Sequence, residues 1–180
     1  TATITNGDAT ALATVDASGL ASKNIKGEAT AGLTYVTTNK AVAETITLGA
    51  GLDKVTITGS TFAKVDTVSG LTLVDDAATA GLQVDVAKSD DITVRSNDNG
   101  TALTGFAKTT STAASLNLAL VDLAASANNQ LVFQYGGDTY IYADVTDAGA
   151  AGDGILNDSD ILIKITGLVD LDLLVSALNA

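Results

Sequence analysis

The sequence predicts a mainly β protein, in which a β-solenoid, β-roll-like or β-sandwich part over residues 1–110 precedes a small α+β part over residues 111–180. Thr is abundant, with 26 residues, and together with Val and Ile it favours strands. Asp supplies 19 of the 21 acidic residues and, with 17 Gly, favours tight turns. Short alternating runs also recur about every ten residues, which is typical of solenoids, sandwiches and barrels.

Seven segments of the N-terminal part have the alternating, β-branched pattern of short strands and are bounded by Gly, Asp, Asn or Ser. These predicted strands are Ala2–Thr5, Leu33–Thr37, Glu44–Leu48, Lys54–Thr58, Leu71–Val74, Leu82–Val86 and Asp91–Arg95.

The C-terminal part has a different pattern, and we place the boundary near residue 110. Leucines at helical spacing predict a helix over Ser111–Ala127, capped by Ser111 or Thr112. Four of the seven aromatic residues lie in the hairpin that follows, whose turn is Gly-Gly. The remaining predictions are the hairpin strands Gln130–Tyr135 and Asp138–Ala143, a strand Asp160–Ile165 and a terminal helix Asp170–Leu178 with Asp170 as its cap.

The composition excludes several classes of function. The chain has no Cys and no His, which excludes disulfides, thiolate nucleophiles, Ser-His-Asp triads and His-ligated metals. Its net charge of -12 opposes nucleic-acid binding, because a phosphate-binding surface needs clustered Lys and Arg. It also contains no Met, which predicts a fragment or a processed product. No stretch is long and apolar enough to predict a membrane span.

One Gly-rich segment predicts a calcium ligand at Asp53. The residues from Leu48 to Thr56 read LGAGLDKVT and fit the calcium-binding β-roll nonapeptide at all but its first Gly. In that repeat the Asp carboxylate and turn carbonyls bind Ca²⁺ between stacked coils. The alternative is a Gly-rich turn between two strands. A loose internal repeat, VDASGL at 15–20 and VDTVSGL at 65–71, also favours a solenoid.

The acidic loop over residues 144–160 is the strongest candidate for a metal site. Its five carboxylates would repel one another if nothing compensated them, and hard oxygen ligands among glycines favour Ca²⁺. The EF-hand spacing is absent, and the alternative is a solvated acidic loop. The predicted calcium ligands of this loop are Asp144, Asp147, Asp153, Asp158 and Asp160.

No arrangement of residues predicts catalysis. Arg95 lies among several Asp residues, but an anionic polysaccharide would be repelled by the net charge. A glycosidase pair could be chosen from any two of the 19 Asp residues, and no Trp is available to hold a sugar. We therefore expect no enzyme activity.

Residues 129–171 resemble the C-terminal region of bacterial surface-layer and RTX-like proteins that are exported by type I secretion. The resemblance lies in NQLVFQYGGDTYIYAD at 129–144, the acidic Gly/Asp loop and DILIKITGLVDL at 160–171. It implies an uncleaved C-terminal export signal, an upstream calcium-binding β-solenoid and folding driven by extracellular Ca²⁺. It also implies the ligand position of Asp53, whereas the acids at 144–160 align only with a variable acidic loop.

We expect a structural, self-assembling extracellular protein at the bacterial cell surface, whose main partner is a second copy of itself. A cell-surface polysaccharide is a further candidate partner. Two alternatives remain: the calcium-binding export module of a larger secreted enzyme, and a surface adhesin. Ordered assemblies formed on addition of Ca²⁺ would favour the structural, self-assembling role over both alternatives.

Overall fold

The computed structural model describes residues 2–7, 12–20, 31–38, 41–73, 90–97, 100–145 and 153–180. The structure is mainly β, as the sequence predicts. In the described residues the strands are β1 Ala2–Asn6, β2 Thr14–Asp16, β3 Ala31–Thr37, β4 Thr45–Thr47, β5 Leu52–Ile57, β6 Asp66–Ser69, β7 Asp91–Val94, β8 Ala107–Lys108, β9 Gln130–Tyr135, β10 Asp138–Ala143 and β11 Ile161–Ile165. The two helices are α1 Leu116–Ala124 and α2 Leu171–Leu178.

The first seven strands alternate between two sheets. The odd-numbered strands form a four-stranded sheet in the order β1-β3-β5-β7, and every pair in it is parallel. The even-numbered strands β2, β4 and β6 also pair in parallel, in a seven-stranded sheet that continues through β11, β10 and β9 to β8. Hydrogen bonds between β6 and β11 therefore join segments from either side of residue 110.

Two columns of apolar side chains run across the sheets and meet in one core. In the four-stranded sheet, β-bridge partners place Ile4, Tyr35, Val55 and Ile92 in one column. In the seven-stranded sheet the equivalent column is Val15, Ile46, Val68 and Ile165. Seven of these side chains belong to one buried hydrophobic cluster and Ile4 packs against it, so the two sheets pack face to face.

The C-terminal strands are buried on both faces. One face of β9, β10 and β11 adds Val132, Ile141 and Ile163 to the core between the sheets. The other face carries Phe133 and Tyr140, whose rings stack with centroids 5.4 Å apart, and α1 covers this face with Leu120 and Leu123. Burial on both faces explains why β10 reads as a nearly continuous apolar run.

The Gly-Gly turn of the hairpin and both helix caps have identifiable local causes. Gly136 and Gly137 have φ of 61° and 91°, as a two-residue hairpin turn requires. Asp170 caps α2 as predicted, because its side chain accepts from the N–H groups of Asp172 and Leu173. Helix α1 is shorter than predicted and is capped by Ser115, not by Ser111 or Thr112.

The predicted strand Leu71–Val74 is wrong over residues 71–73, where the structure has no strand. The strand of this region is β6, which starts at Asp66 and ends before Gly70, whose φ is 81°. Strands β2 and β8 were also not predicted, because two or three residues give too short a pattern to recognise. The predicted strand Leu82–Val86 lies outside the described residues.

Candidate functional site

Six carboxylate side chains are almost completely buried in the described part of the chain. Burial of a carboxylate is unfavourable unless donors replace the lost water. The ion pairs found among the described residues involve other acids, namely Asp91, Asp138 and Asp172. The six buried carboxylates, each at most 4% exposed, are Glu44, Asp53, Asp66, Asp90, Asp144 and Asp160.

In the four-stranded sheet, each buried carboxylate accepts hydrogen bonds from the backbone of an earlier strand. Asp53, the second residue of β5, accepts from Leu33 N at 2.5 Å and from Gly49 N at 3.1 Å. Asp90, just before β7, accepts from Asp53 N at 3.0 Å and from Thr72 N at 2.7 Å. Lys54 pairs with Asp91 across the sheet. Asp53 and Asp90, which precede these residues by one position, are therefore neighbours at the starts of adjacent strands.

Gly32 gives the Asp53 carboxylate its space. A Cβ atom built on Gly32 would overlap Oδ1 of Asp53, and the backbone carbon of Gly51 is also close, at 3.2 Å. Any side chain at this position would displace the carboxylate from the N–H of Leu33. A glycine is therefore required at this position by the carboxylate of the next strand in the sheet.

The seven-stranded sheet also has two buried carboxylates at strand starts, and Asp66 repeats the backbone hydrogen bond whereas Glu44 accepts from side chains. Asp66 starts β6, and its Oδ1 accepts from the backbone N of Glu44 at 2.8 Å. Glu44 precedes β4, and Thr45 pairs with Thr67, so these acids are also neighbours in register. The oxygens of Glu44 accept from Tyr35 Oη at 2.8 Å, from Thr37 Oγ1 at 3.0 Å and from Asn6 Nδ2. We call Glu44, Asp53, Asp66 and Asp90 the strand-start carboxylates.

A four-residue sequence pattern accompanies the strand-start carboxylates. Each acid is followed by one exposed or half-buried residue, then by a buried Ile or Val, then by Thr or Ser. The pattern is ETIT at 44–47, DKVT at 53–56, DTVS at 66–69 and DDIT at 90–93. This repeat was not among the predicted motifs, although its acid, apolar residue and hydroxyl at fixed spacing could have revealed it. In the first strand of each sheet, β1 and β2, Ala2 and Ala13 occupy the place of the acid, and no described strand precedes them.

Asp66 differs from its neighbours because one of its oxygens has no donor. Its Oδ2 is buried and makes no hydrogen bond. Burial raises the pKa of Asp66 to about 7; the N–H of Glu44 opposes this rise and the Glu44 charge adds to it. Burial also raises the pKa of Asp90, and burial together with the hydrogen bond to Glu44 raises the pKa of Tyr35.

Asp144 and Asp160 form a second site, at the end of the C-terminal hairpin. Asp144 follows β10 and Asp160 precedes β11, and the pairing of Ala143 with Ile161 brings them to the same end of the sheet. Asp160 accepts from Tyr142 Oη at 3.0 Å, Asn157 N at 3.0 Å and Val145 N at 3.2 Å. Burial raises the pKa of Asp160, and the charge of Asp144 contributes to the increase.

The Asp144 carboxylate is only half satisfied. Its Oδ2 accepts from Gly154 N at 2.9 Å, whereas its Oδ1 is buried and makes no hydrogen bond. Burial raises the pKa of Tyr142, and the charges of Asp160, Asp144 and Asp153 add to this increase. A buried anionic oxygen without a donor is the kind of atom that a cation would stabilise.

The structure separates the predicted calcium ligands. It brings Asp144, Asp153 and Asp160 to one end of the hairpin, but places Asp53 in the four-stranded sheet with both oxygens bonded to backbone N–H groups. Asp153 and Asp158 are exposed, and Asp153 accepts from Ile155 N at 2.9 Å. Asp147 lies outside the described residues. Within the described ranges, no three acidic side chains are grouped closely enough to hold a metal ion by themselves.

Comparison with known proteins identifies no protein similar to this chain. No family model matches the sequence, and neither the curated proteins nor the solved structures include a significant match. In the part of the chain that the structure describes, neither helix has the length and apolar character needed to cross a membrane.

The Asp66 carboxyl predicts a specific pH dependence of stability. Its folded pKa of about 7 exceeds its ordinary value of 3.8, so between these values the folded state holds the extra proton. The free energy of unfolding therefore falls as the pH rises through this window. We expect Asp66→Asn to lack this pH-dependent loss of stability. Its free energy of unfolding, measured by urea denaturation, should therefore rise relative to that of the wild type by about 1 kcal/mol or more between pH 5 and pH 8.

The control is Asp122→Asn, on the exposed face of α1. It should keep the pH dependence of the wild-type protein. Parallel pH profiles for wild type and Asp66→Asn would contradict the assignment of a buried, protonated carboxyl at this position.

Proposed function

We propose that this chain is a structural segment of a self-assembling extracellular protein of the bacterial surface, and that its strands are stacked coils of a β-solenoid. The observation that carries the proposal is the fourfold acid-x-Ile/Val-Thr/Ser pattern on parallel strands that alternate between two sheets. Repetition of one short unit along an axis is how solenoids extend a single core.

The chemistry of the buried acids supports a mechanical role. Three of the strand-start carboxylates, Asp53, Asp66 and Asp90, direct an oxygen to a backbone N–H group of the preceding strand or the residue just before it, whereas Glu44 accepts from side chains of β1 and β3. Such contacts hold strands in register and leave few lone pairs for a substrate. Burial of these carboxylates is unfavourable, and hydrogen bonds that form only when the strands are stacked offset this cost.

Calcium is the cofactor that we propose for the C-terminal hairpin. The donorless Oδ1 of Asp144 supports this, as do the neighbouring carboxylates of Asp160 and Asp153. Calcium takes six to eight oxygen ligands, so carbonyl groups or water would complete the set. Capture of Ca²⁺ would also offset part of the net charge of -12.

The resemblance of residues 129–171 to surface-layer and RTX-like proteins supports export by type I secretion. A chain of high negative charge stays extended where Ca²⁺ is scarce, because its carboxylates repel one another. Outside the cell Ca²⁺ would bind the folded state and stabilise it. These physical properties suit a protein that crosses a channel unfolded and folds on the far side.

Calcium should stabilise the folded chain through Asp144. At millimolar CaCl₂ we expect the melting temperature of the wild type to rise by about 5–10 °C if the concentration is near 100 times the Kd. Asp144→Asn should abolish most of this shift, whereas the exposed control Asp122→Asn should retain it. An equal shift of the melting temperature in wild type and Asp144→Asn would show that Asp144 does not bind the calcium ion.

The self-assembling role predicts an ordered product that electron microscopy can detect. Negative-stain images of the wild-type chain should show sheets, tubes or fibres in millimolar CaCl₂ and only small particles in EDTA. A single small species under both conditions, with calcium bound, would contradict a lattice role and favour an export module or an adhesin.

A further inference from the structure

The segment that leads into β11 contains the second half of an EF-hand calcium loop, although the full EF-hand spacing is absent. In an EF-hand loop of twelve residues, position 5 is Asp or Asn, position 6 is Gly and position 12 is Glu. Positions 7 and 9 contribute a backbone carbonyl and, often through water, a side chain. The residues from Asp153 to Asp160 read DGILNDSD, which fits positions 5 to 12 with Asp in place of the final Glu.

Gly154 has the backbone conformation that the Gly of an EF-hand loop provides. Its φ is 76°, in the left-handed region that favours glycine, so the chain turns sharply after Asp153. The N–H of Gly154 donates to Oδ2 of Asp144 at 2.9 Å. The turn therefore holds the Asp144 carboxylate, from the end of β10, against the start of the segment that carries the EF-hand pattern.

Asp144 supplies a carboxylate where the first half of an EF-hand loop would do so. The residue is 3% exposed, and its Oδ1 accepts no hydrogen bond from the described residues. Because Oδ2 of the same carboxylate is bonded to Gly154, the donorless oxygen also lies beside this turn. A desolvated anionic oxygen without a donor is unfavourable, and a bound cation would offset that cost. This observation is independent of the sequence pattern and points to the same place.

Asp160, at position 12, retains capacity to bind a cation. Its Oδ2 accepts from Tyr142 Oη and from Asn157 N, each at 3.0 Å. Its Oδ1 accepts one bond from a described residue, from Val145 N at 3.2 Å. An ionised carboxylate has about four acceptor sites, so a lone pair remains on Oδ1, next to the backbone of the residue that follows Asp144.

The backbone carbonyl of Ile155 lies at position 7, which contributes a carbonyl in an EF-hand. It accepts a long hydrogen bond from Asn157 Nδ2, at 3.3 Å, and a carbonyl oxygen has a second lone pair. Leu156, the next residue, packs against the apolar cluster that α1 covers. The segment is therefore anchored to the fold beside an available carbonyl oxygen.

We propose that this segment and the end of β10 bind one Ca²⁺ ion as a divided EF-hand loop. The proposed ligands are the carboxylates of Asp144, Asp153 and Asp160 and the backbone carbonyl of Ile155, and water completes the six to eight oxygens that Ca²⁺ takes. Asp158 falls at position 10, which supplies no ligand in an EF-hand, and its side chain is exposed. The inference rests on the proposed calcium cofactor, for which it separates ligands from acids that only add charge.

The position of the ion gives it a structural effect. Its ligands come from both ends of the connection between β10 and β11, so binding would close this loop and reduce its entropy in the folded state only slightly further. Strand β11 also pairs with β6. Calcium capture would therefore stabilise the strand that joins the residues on either side of position 110.

The matched variants Asp153→Asn and Asp158→Asn test the ligand assignment. Each removes one negative charge from an exposed Asp of the same loop. Asn at 153 also keeps an oxygen that can accept from Ile155 N, so the turn is preserved. In calorimetric titrations of the 180-residue chain with CaCl₂, Asp153→Asn should raise the Kd about tenfold or more, whereas Asp158→Asn should change it less than about threefold.

Terbium luminescence tests the location of the ion without changing a proposed ligand. Tb³⁺ is a hard cation that takes oxygen ligands, and energy transfer from a nearby Tyr excites its emission. Tyr142 Oη lies 3.0 Å from Oδ2 of Asp160, so excitation of Tyr should give Tb³⁺ emission that CaCl₂ displaces. Tyr142→Phe should lose most of this emission, whereas the control Tyr135→Phe, next to the Gly-Gly turn at the other end of the hairpin, should keep it.

Equal calcium affinities of Asp153→Asn and Asp158→Asn would overturn the divided EF-hand loop, as would Tb³⁺ emission that Tyr142→Phe leaves unchanged. If Asp144→Asn still weakened binding in that case, calcium would stand as the cofactor of the hairpin and only the ligand assignment would fall. A wild-type chain that binds no Ca²⁺ would contradict both. Neither test measures assembly, so their outcome is separate from that of the proposed surface-layer role.

Discussion

Desolvation of carboxylates is the constraint on which this architecture depends. Four acids are buried at the starts of strands, where an unsatisfied charge would cost several kcal/mol. The donors that offset this cost include the backbone N–H groups of Leu33, Glu44 and Asp53 on neighbouring strands. A slip of one residue in register would separate each carboxylate from its donor and turn the apolar column outward, so burial of the acids and the core specify the same register.

Neighbouring features follow from this constraint. Gly32 lacks a side chain where the Asp53 carboxylate needs space, and small Ala2 and Ala13 occupy the acid positions of the first strands. In the part of the chain that the structure describes, no earlier strand of the same sheet could supply backbone donors to a carboxylate at Ala2 or Ala13.

The sequence predicted the mainly β class and most strand positions, because alternation of β-branched residues with turn residues is a local signal. It did not predict which acids are buried: Asp53 matches a calcium motif, yet its oxygens accept backbone N–H groups of residues up to 20 positions away. That distinction depends on which strands become neighbours, which local pattern does not specify. Asp144 and Asp160 were among the predicted calcium ligands, and the structure places both at the end of the hairpin. Glu44 and Asp66 were not selected, because their partners are remote in sequence.

Amide hydrogen exchange followed residue by residue by NMR tests the central claim most directly. If the carboxylates of Asp53, Asp66 and Asp90 hold the backbone of the preceding strands, the N–H groups of Leu33, Glu44 and Asp53 should exchange only through global unfolding, as slowly as that of Val55 in the middle of β5. The account is contradicted if these three amides exchange at the rate of an unstructured peptide while Val55 stays protected.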